Sequence, residues 1–141
     1  MRSSRRYVFD TNTLVSAALF ESGKPGRAFR HALKSGTVLL SQPTFEEIDE
    51  VLAREKFDKY LSIEERAVFI ESLVERSRFA DPSEKVHACR DPDDDKFLEL
   101  AVSENATCIV SGDADLLALD PFRGIPIMRP ADFLEWIEQN E

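Results

Sequence analysis

The chain has 141 residues, 43% hydrophobic and 32% charged, with a formal net charge of −9. That is the length of one ordinary domain, expected to run over 1–141, with apolar matter enough for a core and too much for a disordered tail. No stretch approaches the roughly 20 apolar residues of a helical membrane span, which excludes an integral membrane protein of that kind.

The run Met1-Arg2-Ser3-Ser4-Arg5-Arg6 is positive like a leader, but only Tyr7-Val8-Phe9 follows before Asp10 interrupts. A cytoplasmic protein is therefore expected. Cys89 and Cys108 cannot build a disulfide framework and read as buried, reduced thiols. Together with His31 and His87 they show no zinc-site spacing. Charge is uneven along the chain. Residues 1–35 hold seven Lys or Arg against two acids, and the remainder holds 11 against 25. An acidic protein repels nucleic acid globally, yet one basic face can still guide a phosphate backbone to a local site.

Residues 6–10 form a short buried strand closed by a carboxylate. Residues 12–20 and 25–35 follow as helices around the loop Ser22-Gly23-Lys24-Pro25-Gly26. After Gly36, residues 37–41 make a second strand. Pro43 then sits in the first turn of a helix to about residue 56, with Phe45, Ile48, Val51 and Leu52 as its buried stripe. Ser62 and Glu65 compose a capping box for a helix to about residue 79, with Val68, Phe69, Leu73 and Val74 expected inward. Residues 85–88 are compatible with a short strand. A helix over 95–104, a strand over 106–111, a last strand over 126–128 and a closing helix over 130–140 complete the chain. Apolar strands alternating with amphipathic helices predict an α/β fold: a three-layer α/β/α sandwich with a central parallel sheet of about five strands.

Such sheets place ligands beyond the C-terminal ends of their strands. Several acids fall there. Asp10 closes the first strand, Glu47 lies one turn into the helix after the second, Asp91, Asp93, Asp94 and Asp95 precede a helix, and Asp113 and Asp115 follow another strand. Two carboxylates about 4 Å apart repel by roughly 4 kcal/mol at an effective dielectric of 20. A hard divalent cation removes that penalty, and all-oxygen ligation suits Mg2+ or Mn2+. Some of these acids, Asp91, Asp93 and Asp94 among them, are equally compatible with simple helix-terminus charges facing water. Glu47 borders the buried stripe of its helix, whereas Glu46 shares a face with Asp49 and Glu50, so Glu47 is the better ligand.

From Tyr7 to Ile137 the chain resembles a PilT N-terminus (PIN) domain, the nuclease fold of VapC-type toxins. The resemblance lies in Tyr7-Val8-Phe9-Asp10-Thr11-Asn12, in the helix from Phe45 to Leu52, and in Arg90-Asp91-Pro92-Asp93-Asp94-Asp95-Lys96-Phe97 with Ile109-Val110-Ser111-Gly112-Asp113-Ala114-Asp115. It implies Asp10, Glu47, Asp95 and Asp113 as catalytic, metal-binding acids, with Asp91, Asp94 and Asp115 secondary. Asp95 is preferred for standing 16 residues before Ser111, with Asp94 as its alternative. Asn12 and Ser111 match positions that orient ligands. The resemblance further implies a metal-dependent endoribonuclease, the toxin of a toxin–antitoxin pair, using Mg2+ or Mn2+ to activate water for phosphodiester hydrolysis. An RNA substrate, a cognate antitoxin and a homodimer are its implied partners. Arg27, Arg30 and Lys34, on one face of the second helix, are the candidate RNA-binding residues.

Two other readings stand beside it. Val8-Phe9-Asp10-Thr11-Asn12-Thr13 resembles the nucleophile motif of haloacid-dehalogenase-like phosphotransferases, but Asn12 cannot serve as their general acid. The acids also suit a non-catalytic magnesium-binding interaction domain.

Overall fold

A computed structural model of the protein describes residues 4–140; Arg2, counted above with the basic third, lies outside them. Strands β1 (Arg6–Phe9), β2 (Thr37–Leu40), β3 (Ser77–Phe79), β4 (Cys108–Val110) and β5 (Ile127–Met128) pair in parallel throughout, in the order β3-β2-β1-β4-β5. Seven helices connect and cover them: α1 (Thr11–Leu19), α2 (Lys24–Ser35), α3 (Gln42–Leu52), α4 (Ile63–Arg76), α5 (Asp95–Ser103), α6 (Ala114–Leu117) and α7 (Pro130–Gln139).

The three layers follow from the period of two along each strand. Tyr7, Phe9, Val38, Leu40, Cys108 and Val110 pack on one face with residues of α1, α2, α3, α4 and α7. Val8, Leu39, Ile109 and Ile127 pack on the other with Phe97, Leu98, Leu100 and Ala101 of α5 and Leu116 of α6. β1 lies between β2 and β4, so the chain turns from one side of β1 to the other at its C-terminal end. A crevice opens at such a switch point. Gly36 makes the turn from α2 into β2 possible by close approach, since a Cβ there would meet the Arg5 carbonyl oxygen at 2.5 Å.

Three sequence expectations need correction. The third strand is β3, and residues 85–88 form a loop whose Val86 alone is buried. The helix expected to reach residue 79 ends at Arg76, and the chain passes straight into that strand. On α4 only Leu73 is buried outright; Val68 is 67% exposed and Val74 39%.

Phe133 ties α7 to β1. It is fully buried and meets Tyr7 and Phe9 edge-on, with ring centroids 5.2 and 6.0 Å away. Phe133→Ala is expected to cost about 3–5 kcal/mol. Urea unfolding checks this, through a lower midpoint at unchanged slope.

Candidate active site

The acids at the C-terminal edge of the sheet are positioned by the first turns of helices. Asp10 follows β1 and caps α1: its Oδ1 accepts from the Thr13 N–H at 2.9 Å. Asp113 follows β4 and caps α6 through Oδ2 and the Leu116 N–H at 3.1 Å. Ser111, buried between them, donates its hydroxyl to Asp10 Oδ2 at 2.5 Å and accepts from the Asp113 N–H at 3.0 Å. Each carboxylate thus meets orphan backbone donors at the positive end of a helix.

Glu47 comes from α3, half-buried, while Glu46 is exposed and bonded to Gln42. Glu47 Oε1 accepts from Thr11 Oγ1, and its Oε2 lies 2.7 Å from Lys96 Nζ. The segment before α5 completes the wall. Asp91 caps a single 3-10 turn, Pro92–Asp94, by accepting from the Asp93 N–H at 3.0 Å.

Asp10, Thr11, Asn12, Glu47, Arg54, Asp91, Asp93, Asp94 and Asp113 line one cleft of about 270 Å3. Asp95 and Asp115 do not line it. Asp95 is buried, 6% exposed, and its Oδ1 accepts from the N–H groups of Ala88 at 3.1 Å and Cys89 at 2.8 Å. Its carboxylate secures the loop that covers α5. Of the two residues that spacing ranked with Asp95 first, Asp94 lines the cleft with the other acids and Asp95 holds the loop.

Electrostatics separates the same two residues. Burial pushes the Asp94 carboxyl up to about 6, helped by the charges of Asp113, Asp91, Asp10 and Glu47. For Asp95, burial works against the charge, but the bonds from Cys89 and Ala88 outweigh it and hold the carboxyl below its ordinary value. Burial also raises Asp10, opposed by its bonds to Ser111 and Thr13. The Cys89 thiol, beside Asp95, is pushed up to about 12 by burial and then by that bonded carboxylate, which makes it a poor nucleophile.

The donor set is entirely oxygen, which fits a hard divalent cation. Among the described residues no three Asp, Glu, His or Cys side chains stand together as a ready-made ligand cage. Thr11 and Arg54 line the cleft, Lys96 bonds Glu47 at its wall, and all three escaped the sequence reading. The signal for Lys96 was its place as the single cation within Asp91-Pro92-Asp93-Asp94-Asp95-Lys96. Arg27, Arg30 and Lys34 are exposed on α2, and none of them lines the acidic cleft. Arg30 instead donates to the Glu21 carbonyl at 2.6 Å and borders a groove between α1, α2 and α4.

Comparison with known proteins adds to this picture. The PIN domain family profile matches residues 6–115. An uncharacterized protein of Methanocaldococcus jannaschii is 31% identical over 116 residues, covering 81% of this chain and 74% of that protein. Two solved structures share the fold. PAE2754 from Pyrobaculum aerophilum has a TM-score of 0.66 at 14% identity, covering 99% of this chain and 94% of that one. VapBC2 from Rickettsia felis, bound to a DNA fragment from their promoter, has a TM-score of 0.60 at 16% identity, covering 88% and 98%.

The opposed pKa shifts give a prediction. Asp94 binds its proton more tightly folded than unfolded, so its ionisation removes stability as pH rises from about 4 to about 6. Asp94→Asn should therefore raise the melting temperature at pH 7 in EDTA, with the gain vanishing below pH ~4. Asp95 has the reverse sign, stabilising above its ordinary value and losing that as pH falls. Asp95→Asn should lower the melting temperature at pH 7 and converge on wild type in acid. Thermal melts of both variants across pH 3–8 check the pair.

Proposed function

The chain belongs to the PIN domain family, whose members are generally nucleases, and from that membership we propose a metal-dependent endoribonuclease acting as the toxin of a toxin–antitoxin pair. The observation that carries this reading is the gathering of Asp10, Glu47, Asp94 and Asp113 on one cleft at the switch point of the sheet. Mg2+ or Mn2+, held by Asp10, Asp94 and Asp113 with Glu47 beside them, would supply a water nucleophile and charge neutralisation at the phosphate. Asp10 and Asp113 serve as acceptors locked by Ser111 and by their helix N-termini. Asn12, exposed on the cleft wall, offers its amide to the substrate.

The haloacid-dehalogenase-like alternative has less support. Its second carboxylate would occupy position 12, where the chain has an asparagine. A partner protein finds support in the groove between α1, α2 and α4, where Phe29, Leu33, Leu61, Val68 and Phe69 line about 540 Å3. Residues 1–141 are taken as one nuclease domain, and a cytoplasmic site of action and a homodimer complete the proposal. Among the described residues no helix is long and apolar enough to cross a membrane.

RNA incubated with purified protein should be cleaved with Mg2+ or Mn2+ and spared with EDTA. Asp10→Asn should reduce the rate by more than the roughly 10–100-fold typical of residues that only support a metal site. Glu46→Gln, altering an exposed side chain, should stay within about twofold of wild type. Equal losses in both variants would defeat the assignment.

A second measurement addresses α2. Replacing Arg27, Arg30 and Lys34 together by Ala should weaken RNA binding and flatten its salt dependence, by about 0.7 in slope for each phosphate no longer neutralised. Unchanged RNA cleavage with loss of a co-expressed antitoxin would assign this helix to the partner instead.

A further inference from the structure

Lys96 brings a positive charge against Glu47, one of the acids that line the cleft. Its ammonium lies 2.7 Å from Glu47 Oε2 and 2.7 Å from the Asp93 carbonyl oxygen, to both of which it donates. It also stands 5.5 Å from the centre of the Phe97 ring. With only 17% of the side chain exposed, three contacts fix the charge in place. Glu47 is held from its other side by the buried Thr11 hydroxyl. Both oxygens of Glu47 are thereby engaged, one toward α1 and one toward α5. Among the described residues Asp10, Asp94 and Asp113 have no ammonium against them: Asp10 is held by the Thr13 N–H and the Ser111 hydroxyl, Asp113 by the Leu116 N–H, and the Asp94 side chain makes no capping bond.

The cleft is electrostatically divided. At the α3 end a carboxylate is already matched by a lysine; at the end formed by β1, β4 and the start of α5 three carboxylates are not. A doubly charged ion bound to Glu47 would sit beside a fixed ammonium and be repelled by it with twice the force between unit charges. We propose that Lys96 is a positioning residue that holds Glu47 and supplies the positive charge of a second ion, so that the site takes a single divalent cation among Asp10, Asp94 and Asp113. This rests on the reading of the protein as a metal-dependent nuclease.

Calorimetric titration of the whole protein with Mn2+ tests it by counting ions. Wild type should bind one Mn2+ per chain, and Lys96→Arg, which keeps the charge, should also bind one. Lys96→Met keeps length but removes the charge, leaving Glu47 Oε2 open, and should bind two. Adding Glu47→Gln to Lys96→Met should restore a count of one, because the second ion needs that carboxylate. Circular dichroism establishes that each variant is folded. Two ions in wild type would overturn the proposal, and so would one ion in a folded Lys96→Met. Should Lys96→Met fail to fold, the wild-type and Lys96→Arg counts still decide. Absence of Mn2+ binding in every protein would remove the metal-nuclease reading itself, and the role of Lys96 with it.

Discussion

Mutual repulsion among carboxylates is the constraint around which the C-terminal edge of the sheet is organised. Acids gathered on one cleft of about 270 Å3 add to what burial does: burial pushes the Asp94 carboxyl up to about 6, and the charges of Asp113, Asp91, Asp10 and Glu47 act in the same direction. Different acids meet this in different ways. Asp10 and Asp113 sit at helix N-termini, so backbone N–H groups offset the charge of both, and the Ser111 hydroxyl adds a bond to Asp10 while accepting from the Asp113 N–H. Glu47 has a lysine and a threonine. Asp94, at the N-cap of α5, makes no capping bond with its side chain. The electrostatic cost therefore concentrates on Asp94, the acid best placed to gain from a bound cation.

The parallel topology makes that arrangement available. Every strand of the sheet points its C-terminal end toward the same edge, and every helix that follows a strand begins there. Three junctions, β1 to α1, β2 to α3 and β4 to α6, consequently deliver an acid or its support to one place. α5, which precedes β4, begins at that edge as well. Both faces of the sheet are sealed by apolar side chains, so this edge is where the fold can hold charge next to a rigid core.

Much of this was legible from the residues because apolar periodicity and capping are local. Asp10 after an apolar strand, Glu47 beside Ile48 and Asp113 after Val110 are all positions at which burial on one side forces the carboxylate toward the edge. Elsewhere, local signals were weak or misleading. Neither Gly nor Pro marks the end of α4, and β3 reads Ser77-Arg78-Phe79 because an edge strand need not be apolar. Val68 and Val74 follow the helical period of a buried stripe, yet they remain exposed along α4. Asp94 and Asp95 are adjacent and chemically identical. What separates them is the loop at 88–89, whose N–H groups claim Asp95, and no spacing within the sequence encodes that contact.

Charge shows the same limit more sharply. Counting along the chain puts the positive charge in its first 35 residues, but sequence neighbours need not share a surface. Arg30 lies on the groove beside α4, while Arg54, which lines the acidic cleft, and Lys96, which bonds Glu47 of that cleft, come from the acidic remainder. At physiological ionic strength charges are screened over about 8 Å. An anion near the cleft would therefore respond first to the cations beside it, whatever the balance of distant segments. Of these, Lys96 is already committed to Glu47 and the Asp93 carbonyl, whereas Arg54 is exposed and follows directly on the turn that ends α3. The two cations thus differ: Lys96 offsets the charge of Glu47, and Arg54 leaves its charge exposed on the cleft wall.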